Sequence, residues 1–199
     1  MITPRILAAA TLVLLLGGVA AAQETFENLQ FMSWAKHKKG TSITLKETTM
    51  SGGVMASESF TTTTLLDVRA DGLTLEMTLT GKVDGMEIKS PPIKIEVKKT
   101  LPLLPGLKME DFNKLPKGTK IEEVTRAESG TETLKVNGTE YPAKWYKTYE
   151  TFTGSKRVIN MWTSDDVPGT LVKAEQTTTP TKDGPTVKIT MELIEFKKP

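Results

Sequence analysis

The sequence predicts a mainly β protein built as a large curved antiparallel sheet, open like a half-barrel or closed like a barrel, with one or two short helices. Two observations predict this class: apolar and polar residues alternate over several stretches, and Asx-Gly pairs separate those stretches. The clearest alternation lies in residues 72–80, where Leu73, Leu75, Met77 and Leu79 are spaced by polar residues. A side-chain period of two places them on one face of a strand. Sheets with one dry face are typically antiparallel.

The first segment of the chain is typical of an export signal. Arg5 supplies a positive charge, residues 6–16 are apolar or small, and residues 19–22 are small. This order matches a secretory signal peptide. We therefore expect residues 1–22 to be removed, residues 23–199 to form a single antiparallel β domain, and the protein to be periplasmic or extracellular. Retention of the segment as an anchor is the alternative. After cleavage we expect no transmembrane span.

Two short helices are predicted beside the strands. The first covers residues 24–36, and its apolar residues recur at helical spacing on one face. The second lies near residues 109–115 and ends at Pro116, which cannot continue a helix. The apolar positions of the first helix are Phe26, Leu29, Met32 and Ala35.

Eight to ten strands are expected to form a meander. The stretch 100–106 carries two prolines and divides the strand set, and its leucines favour a packed crossover within one domain. Tight hairpins are predicted at Asx-Gly pairs, because such turns need positive φ angles. These pairs are Asp71-Gly72, Asp84-Gly85, Asn137-Gly138 and Asp183-Gly184. The predicted strands are 43–46, 60–69, 72–80, 93–98, 134–136, 141–152, 156–163, 170–179 and 187–193.

The apolar faces of these strands must be buried against another layer of secondary structure. A long antiparallel sheet can fold into a sandwich, close into a barrel, or curl around a helix as an open half-barrel. The pattern alone does not choose between these three arrangements.

Composition excludes several classes of chemistry. The chain has one histidine, His37, and no cysteine, which removes thiolate nucleophiles, thiolate metal sites and redox pairs. No nucleophile elbow, catalytic triad or phosphate-binding loop can be recognised. The 26 Lys and Arg residues nearly balance the 24 Asp and Glu residues, so no footprint for nucleic acid or an anionic membrane is visible. We expect no enzyme, no cofactor and no metal.

The tryptophans and methionines are the best candidates for a binding role. Trp34 and the two later tryptophans are predicted to anchor the core. The functional alternative is that one or two of them line a cavity for an apolar ligand, where flexible methionines form an adaptable wall. The candidate ligand-binding residues are Trp145, Trp162, Met77 and Met161, with Met191 as further wall.

Three stretches carry a resemblance to a known group of proteins. Residues 162–169 read W-x-S-x-x-V-P-G, residues 130–138 read G-x-E-x-L-x-V-x-G, and residues 34–45 run from a tryptophan through Lys-Gly-Thr into a strand. This set resembles bacterial exported proteins whose architecture is similar to that of the periplasmic lipoprotein-carrier (LolA-like) superfamily. The resemblance implies a curved antiparallel sheet wrapped on helices, with an apolar concavity. It assigns no functional residue. A lipocalin barrel is a second candidate shape, although Met32-Ser33-Trp34 replaces the lipocalin Gly-x-Trp.

Two functions are therefore predicted. The first is a non-enzymatic exported β protein that binds a lipid or another apolar ligand in the concave face of its sheet. The alternative is a structural or protein-interaction module that contacts another envelope protein. The alternative is suggested by threonine-rich wet faces such as Thr61–Thr64 and Thr177–Thr179.

Overall fold

The computed structural model describes residues 25–102, 123–152 and 154–199. The predicted export signal and the predicted helix near residues 109–115 lie outside the described residues. Within them the chain forms one helix and twelve strands. The elements are β1 Thr25–Glu27, α1 Leu29–Ala35, β2 Ser42–Ser51, β3 Val54–Val68, β4 Gly72–Val83, β5 Met86–Lys89, β6 Ile93–Lys98, β7 Thr100–Pro102, β8 Glu123–Val136, β9 Thr139–Phe152, β10 Ser155–Thr163, β11 Leu171–Pro180 and β12 Val187–Lys197.

Ten of these strands form one antiparallel sheet, which confirms the predicted fold class. Its order is β5-β4-β3-β2-β12-β11-β10-β9-β8, and β6 pairs with β4 beside β5. The sheet is curved and is not closed into a barrel. β1 and β7 form a separate two-stranded ribbon. Of the three arrangements left open by the sequence, the structure therefore adopts the open curved sheet.

The prediction of a single meander is wrong at the centre of the sheet. β2 pairs with β12, the last strand, in a register that runs from Ser42 opposite Lys197 to Ser51 opposite Val187. The pairing shifts at a bulge between Leu193 and Glu195. Two meanders, β2 to β6 and β8 to β12, are thus joined side by side. Local alternation does not specify which strands pair over such a distance in sequence.

Two of the four predicted turns are tight hairpins. Asp84-Gly85 joins β4 to β5, and Asn137-Gly138 joins β8 to β9, with positive φ at both residues of each pair. Such turns match the twist of the flanking strands. A third hairpin of this type, Gly52-Gly53 between β2 and β3, was not predicted. Asp71 is the last residue of the connection between β3 and β4, and Gly72 begins β4, whereas Asp183-Gly184 lies in the longer connection between β11 and β12.

Helix α1 begins later than predicted. Residues Thr25–Glu27 pair with Thr100–Pro102 instead of joining the helix. Asn28 then caps it, because its side-chain oxygen accepts a hydrogen bond of 3.0 Å from the backbone N–H of Gln30.

The predicted apolar face of this helix is also wrong. Phe31 and Trp34 are buried, whereas Leu29 is 78% exposed and Met32 is 48% exposed. Burying Trp34 with Phe31 removes more apolar area from water than burying Leu29 with Met32, so the larger pair faces the sheet.

The core lies between α1 and one end of the sheet. Trp34 is 2% exposed at its centre, as the core interpretation of this tryptophan predicts. The buried cluster consists of Phe31, Trp34, Ile43, Leu65, Leu73, Leu75, Val97, Tyr141, Val167, Val172 and Leu193.

We expect Trp34→Ala to lower the free energy of unfolding by about 3–5 kcal/mol, because it leaves a cavity in this core. Leu29→Ala on the same helix is the matched control and should change it by no more than about 0.5 kcal/mol. Urea unfolding followed by circular dichroism measures both. Equal losses for the two variants would contradict the assignment of the buried face.

Candidate ligand-binding face

The two faces of the sheet differ in what covers them. Leu45, Leu75 and Leu193 belong to or pack against the core cluster beneath α1. We call the face that carries them the helix-side face, and the opposite one the far face. Side chains alternate between the two along each strand.

Apolar side chains continue along the helix-side face beyond the core. On β10 and β11, Met161 lies opposite Ala174, and Ala174 lies opposite Met191 of β12. Ile159 and Ile189 occupy the same face one step further along, on either side of Gln176. We call Ile159, Met161, Ala174, Ile189 and Met191 the methionine strip.

The methionine strip is accessible to solvent. Met161 is 40% exposed and the other four members are half-buried. The described part of the chain therefore leaves this strip as an open surface. Thioether side chains have several rotatable bonds and adapt to ligands of different shape.

A second apolar patch lies on the helix-side face of β4 and its neighbours. Met77 lies opposite Ile93 of β6, which is 48% exposed, and Leu79 follows on the same face. Between the patch and the strip, β2 and β3 present Glu47 opposite Ser59. The helix-side face is thus apolar on both flanks and polar in the middle.

A charged pair marks the end of the methionine strip furthest from α1. Arg157 lies opposite Glu150, and their side chains form an ion pair of 3.4 Å. The Glu150 side chain is only 18% exposed. Such a pair next to an apolar strip can contact the polar end of an elongated ligand.

The predicted ligand-binding residues divide between the two faces. Met77 and Met161 lie on the helix-side face. Trp162 follows Met161 in the same strand and therefore points to the far face, where it lies directly opposite Trp145. The structure brings the two tryptophans together but separates them from the two methionines. The role of all four residues in ligand binding stays a prediction.

The tryptophan pair on the far face has polar neighbours. The Trp162 indole N–H donates to the Glu132 carboxylate, and the Lys173 ammonium lies 5.2 Å from the centre of the Trp162 ring. Lys173 also bonds Glu175 at 2.9 Å. The hydrogen bond from Lys173 lowers the pKa of Glu175 and raises that of Lys173.

Gly130 on β8 is required by the position of Trp145. A Cβ atom at residue 130 would lie 2.7 Å from the indole nitrogen of Trp145. The Trp145 ring therefore lies across β8, where Gly130 has no side chain to block it.

Two clefts adjoin α1 rather than the methionine strip. The first, of about 570 Å³, lies between α1 and the turn formed by residues 164–170, with Leu29, Met32 and Trp34 among its lining residues. In this turn Val167 is fully buried, and Lys36 donates a hydrogen bond to the carbonyl oxygen of Asp165. The W-x-S-x-x-V-P-G string thus docks the β10–β11 connection against the helix.

The second cleft, of about 620 Å³, contains His37 and the end of β12. The His37 ring meets Phe196 edge-on, with 5.8 Å between ring centres. Burial lowers the pKa of His37, and the charges of Lys36 and Lys198 lower it further, while Asp166 opposes them. Within the described residues, no group of three or more His, Cys, Asp or Glu side chains could hold a metal ion.

Sequence reasoning missed the exposure of Leu29 and Met32, and it missed the pairing of Arg157 with Glu150. The larger apolar area of Phe31 and Trp34 was a signal for the former. No local signal exists for the latter, because the pairing depends on the register of β9 and β10.

Comparison with known proteins identifies only distant likenesses. No protein-family model matches the chain, and no curated protein matches it. A Bacteroides fragilis protein that is described as exported, with a YmcC-like fold, is 12% identical with a TM-score of 0.42 over 81% of this chain and 97% of its own. A Parabacteroides distasonis protein described as a lipoprotein is 12% identical with a TM-score of 0.40, over 81% and 96%.

A third structure is described as an outer-membrane lipoprotein-sorting domain from Vibrio parahaemolyticus. It is 12% identical with a TM-score of 0.23, over 83% of this chain and 88% of its own. These three structures are thus described as an exported protein, a lipoprotein and a lipoprotein-sorting domain. TM-scores below 0.5 at such identities carry no argument about what this chain does.

Helix α1, the one helix among the described residues, is not long and apolar enough to cross a bilayer.

We expect the stability of the protein to depend on pH through His37. Its pKa is lowered in the folded state, so the unfolded chain binds the proton more tightly. The contribution of His37 to the free energy of unfolding is therefore complete above its pKa in the unfolded chain, about 6.5. It is lost as the pH falls from there through the pKa in the folded state. The urea concentration at the unfolding midpoint should decrease as the pH is lowered from about 8 to about 5, and it should decrease less in His37→Gln. Identical slopes for both proteins would contradict this role.

Proposed function

We propose that this is an exported, non-enzymatic protein of the cell envelope that holds a lipid or another apolar molecule against the helix-side face of its sheet. The observation that carries the proposal is the methionine strip, an apolar surface that the described residues leave open next to a covered core. Contiguous exposed apolar surface on a soluble domain is typical of a binding site.

The free energy gained by burying an apolar ligand in the methionine strip is sufficient for binding. Each methylene group removed from water contributes about 0.8 kcal/mol, so burial of about ten methylenes contributes about 8 kcal/mol before the cost of ordering the ligand. The three strands β10, β11 and β12 span roughly 10 Å across the strip, which is wide enough for an acyl chain.

The proposal assigns separate roles to the predicted residues. Met161 contacts the ligand in the strip, and Met77 offers a second apolar contact surface on the β4 flank of the same face, beyond the polar strands β2 and β3. Trp145 and Trp162 lie outside this contact, because they occupy the far face.

We expect Met161→Asp to weaken binding of a fluorescent fatty-acid analogue by at least about tenfold, because a carboxylate in the strip cannot be desolvated without a partner. Asn160→Asp is the matched control. It adds the same charge to the neighbouring residue on the far face, where residue 160 lies between Lys147 and Glu175. It should bind the probe as the unchanged protein does.

A second measurement examines the native ligand directly. Mass spectrometry of the protein purified from a bacterial envelope should show a co-purified lipid that is depleted in Met161→Asp. Absence of lipid together with absence of probe binding would overturn the proposal. A stoichiometric protein partner without lipid would instead favour the interaction module, because β8 at one edge and β5 and β6 at the other have no further partner strand among the described residues.

A further inference from the structure

The outer side of α1 presents an apolar stripe that packs against nothing in the described core. Leu29 and Met32 are 78% and 48% exposed, and Lys36 continues the same stripe at the end of the helix. Positions i, i+3 and i+7 share one face of a helix. The helix is thus apolar on two sides, of which one faces the sheet and the other is exposed at the cleft between α1 and residues 164–170.

Lysines gather next to this stripe. Lys36, Lys38 and Lys39 follow α1 directly, and all three are exposed. Lys198 joins them from the end of β12, because it lines the same cleft as Lys36 and His37. The nearly balanced total charge therefore conceals a local excess of positive charge at this end of the molecule.

Acidic residues at this end reduce the excess without removing it. The second cleft contains Glu140, Asp165 and Asp166. Asp165 is paired with Lys144 at 3.4 Å. Glu140 and Asp166 in the cleft, together with the exposed Glu27 just before α1, leave three acids against the four lysines.

We propose that α1 and the lysines beside it dock on an anionic lipid surface, with Leu29 and Met32 entering the boundary between headgroups and acyl chains. Exposed apolar side chains flanked by lysines are the pattern of interfacial binding, in which apolar burial and attraction to anionic headgroups act together. We name the surface formed by Leu29, Met32, Lys36, Lys38, Lys39 and Lys198 the basic end. Docking through the basic end is independent of any ligand on the methionine strip.

The chain offers matched controls for each part of the basic end. Val54 and Met55, at the tip of the β2–β3 hairpin, are 71% and 57% exposed and match the apolar pair. They lie at the other end of β2, whose ten residues extend roughly 33 Å. Lys82 and Lys89 on β4 and β5 match the lysine pair Lys38 and Lys39.

The test uses the protein as purified from an exporting bacterium, with the same amino terminus in every variant verified by mass spectrometry. Flotation with vesicles of equal parts phosphatidylglycerol and phosphatidylcholine should show binding that vesicles of phosphatidylcholine alone do not support. Raising the salt from about 0.1 M to about 0.5 M should weaken it, because exposed charges are screened.

Variants separate the apolar and the electrostatic contributions. Leu29→Ser with Met32→Ser should weaken binding to the anionic vesicles by at least about tenfold. Lys38→Gln with Lys39→Gln should weaken it by about 25-fold, or fivefold for each lysine. Val54→Ser with Met55→Ser, and Lys82→Gln with Lys89→Gln, should leave it unchanged. Equal binding to neutral vesicles, or equal losses in the control variants, would overturn the proposal.

A direct measurement uses the absence of cysteine from the chain. Leu29→Cys and Val54→Cys each allow a single environment-sensitive label. The label at residue 29 should shift to shorter emission wavelength on anionic vesicles, and the label at residue 54 should not. Equal spectra for the two labelled proteins on the vesicles would show that α1 does not enter the lipid surface.

Discussion

The structure depends on one constraint: the dry face of a ten-stranded sheet is covered, among the described elements, by a helix of seven residues. Trp34 and Phe31 concentrate the burial at one end of the sheet, where Leu65, Leu73 and Leu75 are almost fully buried. The strands extend well past this core, so the described elements leave apolar residues further along them uncovered. The methionine strip exists because the helix is short and the strands are long.

Much of the fold could be predicted from local patterns. The alternation in residues 72–80 and the Asn137-Gly138 pair each specify their own strand or turn, because period and positive φ are properties of a few adjacent residues. The pairing of β2 with β12 could not be predicted from local patterns. Every amphipathic strand in the chain presents a similar alternation, so nothing local selects this partner for β2.

The candidate site could be predicted in part from the sequence. Met161 and Trp162 are adjacent, and the period of two already assigns them to opposite faces. Which of these faces α1 covers could not be deduced, because it depends on how the helix returns to the sheet. The spacing of apolar residues in α1 predicts a buried face with Leu29 and Met32, whereas the structure buries the larger side chains, with Trp34 buried and Met32 exposed.

The position of β12 at the centre of the sheet has a consequence for how the molecule is assembled. A ribosome delivers the amino end first, so β2 emerges long before the strand that pairs with its outer edge. Until that strand arrives, the first meander keeps an unsatisfied row of backbone donors and acceptors in the middle of the future sheet. Such long-range closure slows folding, and the open edge of the incomplete sheet favours aggregation until the last strand is in place.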